Sequence, residues 1–220
     1  MISPDVAVIA RTIANKGLAG IRRIGVTPGI PIQMMLCQRI KGLNEIPKKM
    51  GVPFAVEQKY DGERIQVHKQ GSKVVLYSRR LENITSQFPD IVEAVRRNVK
   101  AKECVIEGEC MPVDKKGNLL KFQLLMQRRR KHGVEEYVKK IPVCLFAFEM
   151  LHYNGKTLIH EAYPKRYAIL KKSIKESGSI KLALRIICDN PDCAEELFNK
   201  TVENGGEGIV VKSLQPDSTY

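Results

Sequence analysis

The 220-residue chain is short of negative charge. Its 37 lysines and arginines outnumber 24 aspartates and glutamates, for a formal net charge of +13. Such an excess suits a polyanionic partner, because neutralised phosphates release counterions. A solubilising basic surface is the other reading of the same number. Long apolar runs are also missing. No stretch approaches the roughly 20 apolar residues of a membrane span, so no membrane partner is expected. Met1 to Arg11 lacks the basic segment, apolar run and cleavage site of a signal peptide. None of the six cysteines (Cys37, Cys104, Cys110, Cys144, Cys188, Cys193) forms a CxxC pair. Cys104, Cys110 and Cys144 sit in apolar, strand-like runs and read as small buried hydrophobes. The Cys188–Cys193 spacing permits a disulfide but lacks the second pair of a zinc site. Structural thiols are the expected state, which implies a cytoplasmic location, or a nuclear one in a eukaryote. His68, His132, His152 and His160 have no metal-ligand spacing. Gly155-Lys156-Thr157 has the look of a phosphate loop, but Met150 stands where the first glycine belongs, which excludes a Walker A motif. Internal repeats and low-complexity segments are absent.

What remains is an ordinary globular composition, 43% hydrophobic, enough for a substantial core. From Asp5 to Ile24, Val6, Ile9, Ala10, Ile13, Ala14 and Leu18 recur at helical spacing, with Arg22 and Arg23 in the last turn. Residues 25–31 are rich in turn formers and read as a linker. Strands are expected at Phe54–Gln58, Ile65–His68, Lys73–Tyr77, Cys104–Val113, Val143–Leu151, near Ile180–Ile187, and at Gly208–Val211. Helices are expected from Ser86 to about Asn98, and at Leu120–Lys131, Tyr163–Ser173 and Asp192–Glu203. The run Arg128 to Lys131 reads as a solvated helix face that is also a candidate for DNA backbone contact. Elements mix without a regular βαβ rhythm, so the expected class is α+β with mostly antiparallel sheets.

The chemistry concentrates in Glu57-Gln58-Lys59-Tyr60-Asp61-Gly62-Glu63-Arg64. An Asp-Gly pair alone signals no more than a hairpin turn. A lysine at a strand end, however, is held on a rigid element, and a nearby arginine disfavours its ammonium form by like-charge repulsion. A neutral lysine amine is a nucleophile. The glycine permits close approach of backbone to a phosphate. Ser78-Arg79-Arg80 follows 19 residues after Lys59; by itself it reads as a solvated basic pair. Glu107-Gly108-Glu109 ends an apolar strand and suits ribose or Mg²⁺, or a plain strand end. On pattern alone Phe146 and Phe148 suit a core. Glu207 and Lys212 bracket a short alternating strand.

Lys59-Tyr60-Asp61-Gly62-Glu63-Arg64 resembles the KxDGxR signature of covalent nucleotidyltransferases. Arg79, Glu109, the segment Phe146–Gly155 and Glu207-Gly208-Ile209-Val210-Val211-Lys212 follow in the order of that family's further motifs. The wording from Ser78 to Pro89 is similar to archaeal and eukaryotic ATP-dependent DNA ligases. The resemblance implies a ligase nucleotidyltransferase fold, with antiparallel sheets and flanking helices around a nucleotide cleft. It covers residues 31–220 as an adenylation domain. Residues 1–30 resemble the helical end of a preceding DNA-binding domain plus a linker, and a C-terminal oligonucleotide-binding (OB) barrel is expected to be absent. It implies Lys59 as the residue that becomes adenylylated by ATP. Glu57, Arg64, Arg79, Glu109, Phe148 and Lys212 become nucleotide contacts, with Glu57 on the adenine amino group. Glu109 and Glu207 become ligands for Mg²⁺. The implied partners are nicked duplex DNA, the DNA-binding and OB domains of the same chain, and a sliding clamp. On these terms the fragment is expected to bind ATP, self-adenylylate poorly and seal nicks badly. The alternatives are an RNA ligase, a GTP-using capping enzyme, or, in another class, a non-catalytic basic DNA-binding module.

Overall fold

Alternating apolar runs along the chain build two sheets, described by a computed structural model that covers residues 6–22, 25–128 and 134–220. In chain order the elements are α1 (Val6–Arg22), α2 (Ile46–Met50), β1 (Phe54–Lys59), β2 (Glu63–Gln70), β3 (Lys73–Ser78), α3 (Pro89–Asn98), β4 (Glu103–Pro112), α4 (Phe122–Met126), α5 (Val134–Lys140), β5 (Val143–Tyr153), β6 (Lys156–Thr157), α6 (Tyr163–Ser173), β7 (Ile180–Leu182), β8 (Arg185–Cys188), α7 (Pro191–Glu203) and β9 (Gly208–Ser213). The larger sheet runs β3-β2-β4-β5-β6, with β7 parallel to β5; the smaller is β8-β1-β9. Every other pairing is antiparallel, so the α+β expectation holds.

The packing follows from the burial patterns. β4 and β5 are buried along nearly their whole length, as central strands covered on both faces must be. Ile65, Val67, Cys104, Ile106, Leu145 and Ala147 meet Phe88, Ile91 and Val95 beside α3 and Leu170 of α6 in the main core. The smaller sheet packs Phe54 and Val56 against Ile46 of α2 and Ala194 and Leu197 of α7. α7 starts where a helix should: Asn190 caps it by accepting from Cys193 N at 2.9 Å, and Pro191 occupies the first turn.

Several expected boundaries move for physical reasons. The single strand near Ile180–Ile187 is two strands in different sheets. Between them Ala183 N donates to Ala147 O (2.8 Å), and Leu184 O accepts from Gln58 N (3.0 Å), so the chain steps across from one sheet to the other. The helix expected from Ser86 starts at Pro89, because Phe88 is held at φ −131°, ψ 57°, outside the α region that a following proline disfavours. The Leu120–Lys131 helix is reduced to Phe122–Met126. Arg128 is not solvated: it is 1% exposed and grips Asp90 with two bonds of 2.7 and 2.8 Å. It therefore serves the core rather than DNA. Arg129, Arg130 and Lys131 lie outside the described residues, as do Arg23 and Ile24 of the first helix. Cys188 and Cys193 are joined as a disulfide rather than held as thiols, because the start of α7 folds back over the end of β8. Cys104, Cys110 and Cys144 are free and buried as expected; burial pushes the Cys104 and Cys144 thiols up to about 12.

Residues 26–36 lie on the larger sheet. Val26 and Ile32 pack on Val105 and Leu151. Gln66 reads both polar groups of Ile32, accepting from its N–H at 2.9 Å and donating to its carbonyl at 3.2 Å. His68 Nδ1 accepts from Gly29 N at 2.9 Å, so its proton sits on Nε2. Burial drives the His68 pKa down to about 3, with the nearby His152 adding to it. The turn-rich stretch is thus anchored to the domain.

Candidate active site

Lys59 ends β1, and within four residues the chain has crossed from the smaller sheet into β2 of the larger one. The lysine therefore stands at the seam between the sheets. Opposite it in register is Gly208 of β9, and Glu207 N donates back to Lys59 O at 3.3 Å. The Glu207 carboxylate pairs with the Lys59 ammonium, and both side chains stay partly exposed. Gly62 also meets a requirement of the fold. A Cβ there would lie 2.4 Å from Cys110 O and 2.6 Å from Met111 Sδ. The bare backbone is what lets this turn lie against β4.

Arg64 of β2 faces Glu109 of β4 in register. Its guanidinium donates to Glu107 Oε2 at 2.7 Å and to Met35 O at 2.7 Å, and lies 5.3 Å from the Phe148 ring centre. Glu107 is fully buried and also accepts from Gln66 (2.9 Å) and Tyr220 (3.0 Å). It is thus spent on holding Arg64 and the N-terminal segment. Arg64 is then not the unneutralised neighbour that the sequence suggested for Lys59; the charge in contact with Lys59 is Glu207.

Glu109 is the other carboxylate near the lysine. Burial raises its pKa to about 8, against the opposing pull of Arg64, Lys59 and the Gly62 N–H, with Glu63 pushing the same way as burial. A carboxyl raised in the folded chain binds its proton more tightly there than when unfolded. The resulting stability is present at low pH and is lost as the pH climbs from 4.5 to about 8. Thermal midpoints should therefore decline across that window, and Glu109→Gln should flatten the decline. An unchanged slope in the variant would contradict the assignment.

Phe148, half-buried on β5, presents its ring between cations: Lys212 Nζ lies 5.1 Å from its centre and donates to Phe148 O at 3.0 Å. Lys212 also pairs with Glu57 Oε2 at 2.8 Å. Glu57, 3% exposed, accepts a further bond from the Tyr163 hydroxyl. Lys59, Glu57, Arg64, Glu109, Phe148, Glu207 and Lys212 thus converge from β1, β2, β4, β5 and β9. Arg79 does not join them. It is exposed in the turn just past Ser78 of β3, which pairs with Ile65, the residue after Arg64. Tyr163 and Arg185 belong to the cluster but carried no motif: a tyrosine opening a helix and an arginine in a short strand have no distinguishing pattern.

Among the described residues there is no group of three or more side chains fit to cage a metal ion. The two carboxylates near Lys59 are Glu207, in contact with it, and Glu109, buried on β4; a hard cation takes oxygen ligands of this kind once they are ionised.

A family model described as "ATP dependent DNA ligase domain" matches residues 34–220. The chain is 43% identical to DNA ligase 1 of Methanosarcina mazei over all of its own length and 39% of that protein's. It is 40% identical to the DNA ligase of Hyperthermus butylicus, covering 98% of this chain and 36% of that one. The chain therefore spans well under half of these curated relatives. Among solved structures, the ligase domain of M. tuberculosis LigD is similar with a TM-score of 0.55 at 22% identity, over 76% of this chain and 50% of that one. A putative ATP-dependent DNA ligase from Aquifex aeolicus has a TM-score of 0.55 at 18% identity, over 86% and 49%. These two likenesses speak for the fold.

Proposed function

Because the chain belongs to the ATP-dependent DNA ligase domain family, we propose that Lys59 is the nucleophile that takes AMP from ATP. The Lys59 ammonium first gives up a proton, and Glu207 is the carboxylate in contact with it. The freed amine forms a bond to the α-phosphorus, the bond to the bridging oxygen breaks, and pyrophosphate leaves. The product is a lysyl-AMP phosphoramidate. Arg64 and Lys212, fixed by Glu107 and Glu57, stabilise charge on the transferring group, as phosphoryl-type transfers require. Arg79 reaches the nucleotide from its exposed turn. Phe148 supplies the stacking face for adenine. Mg²⁺, held through Glu109 and Glu207, would supply charge neutralisation at the phosphates.

The remaining steps belong to the whole protein. AMP passes to the 5′-phosphate at a nick in duplex DNA, and the 3′-hydroxyl displaces it to seal the strand. The +13 charge supports a duplex partner. In this reading residues 1–30 are the tail of a DNA-binding domain, residues 31–220 are the adenylation domain, and an OB domain and a sliding clamp complete the machinery in the cytoplasm or, in a eukaryote, the nucleus.

The observation that carries the proposal is the seam itself: a strand-end lysine touching one carboxylate, close to a second, with two cations around an aromatic ring beside it. ATP is favoured over GTP because Glu57 is an acceptor buried where the base would lie, and it matches an exocyclic amino group. Incubation with α-labelled ATP, GTP and labelled NAD in parallel should label the chain from ATP alone. Equal or stronger labelling by GTP or NAD would overturn the choice of donor.

A further inference from the structure

The hydrogen bonds around Glu57 run in one direction. Arg185 Nε donates to the Tyr163 hydroxyl oxygen at 2.9 Å, and that hydroxyl donates its own proton to Glu57 Oε1. Lys212 occupies the other carboxylate oxygen at 2.8 Å. Tyr163 is 1% exposed and opens α6, with its backbone N–H held by Ser218 O at 2.9 Å. Its ring has no freedom to swing away. Burial first, then the charge of Glu57, raises the tyrosine pKa, so the hydroxyl remains a donor. Arg185 faces Glu57 in the β1–β8 register, and its guanidinium lies 4.1 Å from the Tyr167 ring centre. Two aromatic rings and a strand pairing thus hold a relay that ends on one carboxylate.

We propose that Tyr163 and Arg185 are positioning residues for base selection: they hold Glu57 as a fixed acceptor, so the site takes a base bearing an exocyclic amino group and turns away one with a carbonyl there. The inference rests on the reading of Glu57 as the partner of the adenine amino group. Its chemistry is that of a site built for a donor. An ionised carboxylate can only accept. A 6-oxo base sets its oxygen, an acceptor, against the carboxylate and leaves that oxygen without a donor, which is the costly kind of mismatch. A carboxylate free to rotate would soften that penalty by turning aside.

The test is competition against a fluorescent ATP analogue, with ATP and inosine triphosphate as competitors. These differ at position 6 of the base, amino against oxo, and in the N1 proton that the 6-oxo base carries. The unsubstituted chain should favour ATP. Tyr163→Phe, which removes only the hydroxyl, should weaken ATP by about tenfold, the scale of one bond to a charged group, and leave inosine triphosphate nearly unchanged. Arg185→Gln should move the ratio the same way by less. Thermal unfolding of Tyr163→Phe checks that the fold persists. If Tyr163→Phe weakens both nucleotides alike, the tyrosine is merely structural and the inference fails. If the ratio stays at its original value in Tyr163→Phe but falls in Glu57→Gln, the positioning role fails and the reading of Glu57 stands. If Glu57→Gln leaves the ratio untouched, the reading of Glu57 itself fails.

Discussion

A chain carrying Lys59→Ala should take up no label from α-labelled ATP, while keeping its fold. The loss is expected to be complete because, among the described residues, Lys212 is the other lysine of the cluster and it is held by its own partners, Glu57 and Phe148 O. The fold should survive because what the variant gives up is small. The Lys59 side chain is 39% exposed, and its partner Glu207 is 50% exposed. Exposed ion pairs contribute about 0–1 kcal/mol. Lys59→Arg sharpens the test, since it keeps a cation for Glu207 but offers a guanidinium that stays protonated and cannot attack. It should be as inactive as alanine. Label persisting in either variant would mean that another residue carries the nucleotide.

The second large effect is on stability and lies away from the seam. Arg166 of α6 and Glu149 of β5 are 3% and 4% exposed and share two bonds of 2.9 Å. Arg166 also donates to Ser218 O at 2.9 Å and to Glu161 O. Truncating the carboxylate with Glu149→Ala leaves a buried guanidinium without its counter-charge, a loss of about 3–5 kcal/mol. Against a total of about 5–15 kcal/mol for a natural domain this is a large fraction. At about 2–4 °C per kcal/mol for a domain of this size, the midpoint should fall by about 10 °C. Glu93→Ala breaks the exposed helix pairs with Arg96 and Arg97 instead, and should shift it by about 2 °C or less. Differential scanning calorimetry on both variants decides the matter. Equal shifts would show that burial of the Arg166–Glu149 pair carries no special weight.

The parts of this molecule that were legible in its sequence are those dictated locally. β4 and β5 announce themselves as long apolar runs, and Tyr163–Ser173 begins and ends where its pattern predicts. The site was legible because its residues recur in a known order along the chain, not because any one spacing demands a nucleotide. What stayed hidden depends on distant partners. Arg128 looks like its basic neighbours until Asp90, 38 residues upstream, draws it into the core. Ile180–Ile187 looks continuous because nothing local marks the step between sheets. Glu107 and Glu109 look equivalent, yet Arg64, Gln66 and Tyr220 claim the first and leave the second beside Lys59. Gly62 looks like a phosphate-loop glycine, whereas the contact that forbids a side chain is the β4 backbone. The break at Phe88, by contrast, follows from Pro89 alone and was readable.

The central claim is that one amine, Lys59, becomes covalently joined to AMP. Mass spectrometry of the intact chain after incubation with ATP and Mg²⁺, followed by peptide mapping, tests it most directly. The account predicts a species heavier by one adenylyl group, with the added mass on the peptide containing Lys59 and lost under acid as a phosphoramidate should be. An adduct mapping to any other peptide, or none at all, would contradict it.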